Sequence, residues 1–435
     1  MSLSFKLHGI EPTKSKKAIQ LEIYTVNPLY VSTFFMIKKT FNAMDKSKGQ
    51  KINQLSQNAL RANVEWLLNS DIKIKTGIDK GALYGWKYLD PPSYPFVYSE
   101  ITGYAISCYS WIYSELRQEK ALEAAKQAAE WVIRKMDSEH LLVAGYRRLD
   151  TFTEKGDLSN QIYLFDNGMG MNGLVNIFRL TGNEKFLTEA RNMADSLVKH
   201  FFKNSTFNVA LIDKLHRPKR VLNSKWSAAA GPHHSKLSFG LLTLSKYDDN
   251  PIYKKFSNSV CKYAISLQNS DGSFATIFSS NIIQMHPHLY ACEGLVYSGI
   301  FLSSEEYFRA GLRGIIWAVH QFNDKGVLTK DNSKSSTEQS DIISQLLRLV
   351  ILCHSHLLRF FDRSTLTDTI DNLHERILTY CILSNDVNRG GIKYQPNLAS
   401  TCSWCTMFCM QALWLWWKKT NGKLKKDERW IDYFV

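Results

Sequence analysis

Four carboxylates, two groups of histidines and a set of tyrosines occupy comparable points along this 435-residue chain. Glu100, Asp166, Glu293 and Asp341 fall at or near the start of apolar runs of helical length, such as EITGYAISCYSWIY, DNGMGMNGLVNIF and DIISQLLRLVIL. Two carboxyl groups, one protonated and one ionised, can flank a glycosidic bond and hydrolyse it. Burial beside aromatic rings can raise the pKa of the member that must keep its proton. Asp166 and Asp341 also suit a simpler role as helix caps. His233-His234 and His286-Pro287-His288 lead into two further runs, HSKLSFGLLTL and HLYACEGLVYSGIF. Imidazole titrates near neutral pH, which fits proton transfer or hydrogen bonds to sugar hydroxyls. The H-x-H spacing can hold a metal, yet no standard ligand spacing is completed nearby, so neither metal nor cofactor is expected. Tyr104 follows Glu100 by four residues and Tyr290 precedes Glu293 by three, so each pair shares a helix face. Such groups suit acid–base work, or simple packing with one satisfied hydroxyl. Tyr94, Trp226 and Trp404 could stack on sugar rings, with Asn167 beside Asp166 as a polar partner. A basic stretch, DKLHRPKRVLNSK at 213–225, offers Arg217 and Arg220 as bidentate carboxylate grips, or forms a solvated surface loop.

These residues need a scaffold that brings distant segments together. Six starts, at Glu100, Asp166, His234, His288, Asp341 and Trp404, recur roughly every 50–70 residues, the mark of stacked helical pairs. Between them lie segments with a single apolar stripe at helical spacing: 53–69, 119–136, 184–202, 252–268, 304–321 and 364–382. Helices apolar all round belong inside, and one-stripe helices belong on the rim. Their alternation predicts an all-α protein, an (α/α)6 barrel or toroid of inner and outer helices. Inner-to-outer links are short, as at Arg117-Gln118 and Thr181-Gly182-Asn183. The long links, about 137–160, 203–229, 269–283, 322–336 and 383–398, all enter inner helices, so long loops and marked residues share one face. Residues 1–50 read as an N-terminal extension with a strand and a helix around 17–40. Residues 51–420 form the toroid, and 421–435 a Lys-rich tail.

Composition narrows the function further. A 44% hydrophobic content is ample for a large core, and the net charge of +14 favours an anionic partner or simply a basic proteome. The eight cysteines sit mostly inside apolar runs and form no dense disulfide framework, which points to a reducing, cytoplasmic setting. Cys402 and Cys405 read as buried thiols, since no second pair accompanies them. The N-terminus lacks a signal-peptide core, and no transmembrane segment is expected. Zinc-finger spacing, RNP-like motifs and phosphate-binding glycine loops are absent, so nucleic acid is not expected as a partner.

Four segments, SEITGY at 99–104, FDNGMGMNGLVNIFRLTGNEKFLTEA at 165–190, SLQNSDGSF at 266–274 and HPHLYACEGLVYSG at 286–299, together resemble α/α-toroid carbohydrate-active proteins of polysaccharide biosynthesis and uronate metabolism, glucuronyl C5-epimerase-like proteins among them. SWCTMFCMQAL at 403–413 fits the last inner helix of such toroids. The resemblance implies an enzyme acting at the barrel mouth on an acidic, uronate-containing glycan, by C5 epimerisation, hydrolysis or elimination. It brings Tyr104, Tyr290 and Glu293 forward as acid–base groups. The full set of catalytic candidates is Glu100, Tyr104, Asp166, His288, Tyr290, Glu293 and Asp341. The binding candidates are Tyr94, Asn167, His233, His234, His286, Trp226, Arg217, Arg220 and Trp404. Two alternatives stand beside this reading: a non-catalytic glycan-binding toroid, and an isoprenoid-handling toroid, to which QNSDGSF is similar. The chain has no DxDD-type or DDxxD acid motif for terpene cyclisation.

Overall fold

The computed structural model describes residues 50–147, 158–203, 206–207, 210–219, 226–276, 282–333 and 336–425. The chain divides into two compact units, Met1–Asn53 and Gln54–Val435. The strand and helix expected around 17–40 lie outside the described residues, as do Arg220 and most of the tail. The larger unit is built of alternating helices, and each class has its own sequence logic. The outer helices are α1 (50–69), α3 (Glu119–Lys135), α5 (Glu184–Phe201), α7 (Pro251–Ser266), α9 (Glu305–Lys325) and α12 (Arg363–Tyr380). In α3 the buried residues Ala121, Ala124, Ala125, Ala128, Ala129, Trp131 and Val132 fall on one stripe, and the remaining face carries the charges.

The inner helices are α2 (Ser99–Leu116), α4 (Leu164–Thr181), α6 (Ser238–Leu244) with the 3-10 segment Pro232–Leu237 ahead of it, α8 (Met285–Phe301), α10 (Ser340–Leu352) and α13 (Ser403–Thr420). A short helical turn, α11 (His354–Leu357), lies between α10 and α12. Each inner helix packs on the next: α2 on α4, α4 on α6, α6 on α8, α8 on α10, α10 on α13, and α13 back on α2. The ring closes, and the expected (α/α)6 toroid is the fold.

Close approach within the ring depends on particular glycines. A Cβ on Gly103 of α2 would lie 2.7 Å from the backbone nitrogen of Gly170 in α4. One on Gly294 of α8 would lie 2.3 Å from the carbonyl carbon of Ser235 and 2.5 Å from the nitrogen of Lys236. Neither backbone can yield to a methyl group at that distance, so glycine is required.

Short strands stitch the loops at one end. They are β1 (Trp86–Leu89), β2 (Pro92–Ser93), β3 (Phe96–Tyr98), β4 (Gly145–Arg147), β5 (Ile162–Tyr163), β6 (Phe202–Lys203), β7 (Thr206–Phe207), β8 (Leu211–Ile212) and β9 (Ser400–Cys402). β1 pairs with both β2 and β9, so a loop from the start of the toroid is tied to the loop entering its last inner helix. β3 pairs with β4, β5 with β8 and β6 with β7.

The two helix classes also begin differently. Four outer helices carry side-chain caps, Asn183 for α5, Asn250 for α7, Ser304 for α9 and Asp362 for α12, while α3 has none. Inner helices α2, α4, α8 and α10 have none; α2 and α4 start straight from strand residues Tyr98 and Tyr163. Asp166 and Asp341 therefore stand inside the first helical turn rather than at the cap. On α13 the Cys402 thiol takes the cap position and accepts from the Cys405 N–H at 3.4 Å, a structural account of the C-x-x-C spacing. All eight cysteines are free. Among the described residues no helix is long and apolar enough to cross a membrane.

Candidate functional site

The inner helices present their inward faces in layers, because positions four and then three residues apart share a helix face. The second residue of each makes the top layer: Glu100 on α2, His233 on the 3-10 segment, His286 on α8, Asp341 on α10 and Trp404 on α13. On α4 that level is held by Phe165 and Asp166. The sixth residues form the next layer, with Tyr104, Tyr290 and Phe408. The ninth residues, Glu293, Arg348 and Gln411, form a third.

In the top layer, His286 Nδ1 lies 3.5 Å from Asp341 Oδ2, and the same carboxylate oxygen accepts from Trp404 Nε1 at 3.1 Å. Trp404 thus anchors Asp341, whose charge lies beside the imidazole without a hydrogen bond to Nδ1. Trp226 spans the two histidines, its ring 5.0 Å from that of His233 and 5.9 Å from that of His286. His286 rests on Tyr290, with ring centroids 4.3 Å apart. Phe165 packs on both His233 and Tyr290, at 5.4 and 5.1 Å. Burial holds the pKa of both imidazoles below the ordinary histidine value, and His233 is depressed well below it, helped by the neighbouring His234 and His286. At neutral pH both rings are uncharged and able to accept a proton. Neither nitrogen of His233 has a hydrogen-bond partner among the described residues, although the residue is 1% exposed. On the far wall the Tyr98 hydroxyl hydrogen-bonds Glu100, and burial with the charges of Asp166 and Glu100 pushes that phenol well up.

The second layer closes the bore. α2 and α8 face each other across the six-membered ring. The Tyr104 hydroxyl on one donates to the Tyr290 hydroxyl on the other at 2.8 Å. Both phenols are held well above the ordinary value, first by burial and then by surrounding acids; for Tyr290 those are Glu100, Glu293 and Asp341. Both therefore keep their protons. One turn above, Glu100 and His286 stand on the same two helices.

Beneath the tyrosines lies a charged plug. Glu293 receives Lys236 Nζ on one oxygen and Arg348 Nη2 on the other, each at 2.8 Å, and all three side chains are fully buried. Arg348 Nη1 also donates to Gln411 Oε1 at 2.6 Å. The Lys236 ammonium sits 4.1 Å from the centre of the Tyr290 ring and 5.0 Å from that of Tyr104. Burial lowers the Lys236 pKa to about 8, against the opposing pull of Glu293.

The structure thus gathers Glu100, Asp166, His233, His286, Trp226, Asp341 and Trp404 at the mouth, above Tyr104, Tyr290 and Glu293. Other candidates point elsewhere. His288, two residues past His286, faces the outer wall: its Nδ1 accepts from the Phe274 N–H at 3.2 Å and its Nε2 lies 3.0 Å from the Gly314 carbonyl. His234 accepts from the Gly231 N–H at 3.3 Å and packs on Phe207. Asn167 clamps backbone, accepting from Leu142 N–H at 2.7 Å and donating to the carbonyls of Leu142 and Tyr163. Tyr94 stacks on Tyr84 at 4.5 Å. Arg217 is exposed and pairs with Asp213 at 2.8 Å. Lys236, Arg348, Gln411 and Phe408 were not anticipated. Lys236 and Arg348 are lone cations inside apolar runs, and a charge there requires a buried counter-ion. Among the described residues no group of three or more His, Cys, Asp or Glu side chains is arranged to hold a metal ion.

No family model matches the sequence, and no curated protein is similar to it in sequence. Solved structures share the fold. Cellobiose 2-epimerase from Spirochaeta thermophila superposes with a TM-score of 0.68 at 12% identity, over 87% of this chain and 99% of its own. A sugar epimerase from a ruminal bacterium gives 0.63 at 14% identity, over 86% and 99%. An unsaturated glucuronyl hydrolase specific for heparin gives 0.59 at 10% identity, over 85% and 98%. At these identities the likeness is one of fold, the α/α toroid.

Proposed function

We propose that this chain is a carbohydrate-active enzyme whose mouth epimerises or isomerises a sugar by proton transfer next to a carbonyl. The observation that carries the reading is the uncharged His286 beside Asp341, on the helix opposite the one that carries Glu100. His286 takes the proton from the carbon beside the carbonyl of an open-chain sugar. The C–H electron pair becomes the C=C bond of an enediolate, and the carbonyl π pair moves onto oxygen. A proton returned to the same carbon from the Glu100 side yields the epimer. A proton returned to the former carbonyl carbon yields the isomer. Efficient proton transfer needs groups on both faces of the reacting carbon, and α2 and α8 supply them from opposite walls. His233 and the Trp226 ring would hold sugar hydroxyls and the apolar sugar face. The fold likeness to sugar epimerases agrees with this chemistry.

C5 epimerisation of a uronate uses the same proton transfer beside a carboxylate. The rim, however, carries Glu100, Asp166 and Asp341 with imidazoles kept neutral, while Lys236 and Arg348 are both engaged on Glu293. Among the described residues the two buried cations are thus committed to a carboxylate of the protein itself, which makes neutral sugars the first substrates to test. The test is incubation in D2O with neutral reducing sugars, cellobiose and mannose among them, and separately with uronate-containing oligosaccharides. Deuterium at the sugar carbon beside the carbonyl, with conversion to the epimer or isomer, is expected from the neutral sugars. Exchange only in uronates would transfer the reading to C5 epimerisation. New reducing ends without deuterium would replace it with hydrolysis, and no exchange in any substrate would end it.

A further inference from the structure

We infer that Tyr290 is the electrophile of the site, the hydroxyl that holds the sugar oxygen on which negative charge develops, with Tyr104 and Lys236 positioning it. The inference rests on the proton-transfer reading above and adds a residue that reading does not use. Removing a proton beside a carbonyl is slow unless the oxygen that gains charge is met by a fixed donor. The imidazole and carboxyl groups of the rim are occupied in passing the proton to and from carbon; a donor that keeps its own hydrogen throughout must come from elsewhere.

The floor of the mouth supplies it. Tyr290 lies one turn below His286 on the same helix face, its ring 4.3 Å from the imidazole. A carbon over His286 and its neighbouring oxygen over the floor are one bond apart, which matches a base and a donor stacked on one face. The Tyr104 hydroxyl donates to Tyr290, and no hydrogen bond runs from the Tyr290 hydroxyl to another described residue. That hydrogen remains available to a sugar oxygen seated on the floor of the mouth. Hydrogen bonds in series polarise one another, so the Tyr104 donation makes Tyr290 a stronger donor. The Lys236 ammonium, ion-paired with Glu293 and 4.1 Å from the centre of the Tyr290 ring, adds a cation on the ring face.

Tyr290 stays protonated before the reaction, since burial and the nearby acids hold its phenol well up. It therefore donates a hydrogen bond to the carbonyl oxygen, which strengthens as the enediolate forms and weakens again when the carbonyl returns. No net proton leaves the tyrosine pair.

The experiment measures steady-state kinetics, deuterium exchange and binding of an aldonohydroxamate, a neutral mimic of the enediolate geometry, in wild type, Tyr290→Phe and Tyr104→Phe. Tyr290→Phe is expected to lower kcat and exchange together by about 10²–10³-fold, the range for loss of one oxyanion donor, with KM changed by less than about threefold. Hydroxamate affinity should fall while affinity for the corresponding alditol, which has no such oxygen, stays. Tyr104→Phe leaves the Tyr290 donor in place and is expected to lower kcat about tenfold, one net hydrogen bond. Exchange in wild type together with undiminished kcat in Tyr290→Phe would overturn the inference and leave the proton-transfer reading standing. If Tyr290→Phe fails to fold, undiminished kcat and hydroxamate binding in Tyr104→Phe overturn it instead. Absence of exchange in wild type removes both.

Discussion

Glu293→Gln tests the charged plug most directly. Glu293 pairs with two fully buried cations, each 2.8 Å away. At an effective dielectric near 20, each contact at 2.8 Å carries about 6 kcal/mol of attraction before desolvation is subtracted. Net effects of breaking a buried pair are smaller, about 3–5 kcal/mol, because desolvation offsets much of the attraction. Glutamine preserves the shape and strands two cations, so the loss should reach the upper end, about 5 kcal/mol. A unit spanning 54–435 unfolds with an entropy of about 0.8 kcal/mol/K, so Tm should fall by about 6 °C. Lys236→Met is the control. It removes one cation and leaves Arg348 with Glu293 as a neutral pair, with an unbranched apolar chain among the rings of Tyr104, Tyr290 and Phe408. Its loss should stay below about 2 kcal/mol. Calorimetry and urea unfolding read both variants. Equal losses from the two would show that charge balance does not hold the plug together.

Asp341→Asn keeps an acceptor for Trp404 but removes the charge beside His286; kcat should drop about 10²-fold, the lower end for a disabled general base, while Tm barely moves. His288→Asn should do the reverse, lowering Tm and leaving kcat intact, because His288 bonds the outer wall; a kinetic defect with unchanged Tm would contradict its placement. Burial depresses His234 and His374 to about 3 and His288 to about 4, from an ordinary 6.5. The unfolded chain then binds protons first, so this stability is complete above pH 6.5 and is lost as pH falls toward 4 and then 3. Flat urea midpoints between pH 7 and 5 would contradict it. Gly294→Ala should cost about 1–3 kcal/mol or more, since the methyl would meet the backbone of Ser235 and Lys236; a full-stability variant would show that α8 can shift.

The alternation of one-stripe and all-apolar segments made the toroid legible, because both patterns follow from where each helix buries its surface. Glu100, Asp341 and Trp404 were legible too, each being the second residue of its helix. The histidines were harder. Two residues along a helix turn a side chain roughly 200°, so His286 faces the mouth while His288 faces α9. Sequence shows both histidines but not where α8 begins, at Met285. Lys236 and Arg348 lay within runs read as apolar, and their significance depends on a partner, Glu293, on another helix. Pairing across helices is a property of the closed ring, which no local pattern contains.

The tyrosine bond across the bore also governs traffic. A toroid open at both ends could thread a polymer and work along it; one stoppered at the level of Tyr104 and Tyr290 has a single doorway. Whatever enters must back out by the way it came, head first in and tail first out. Such a cul-de-sac suits the terminal unit of a short chain, and it makes departure of the product a precondition for the next arrival.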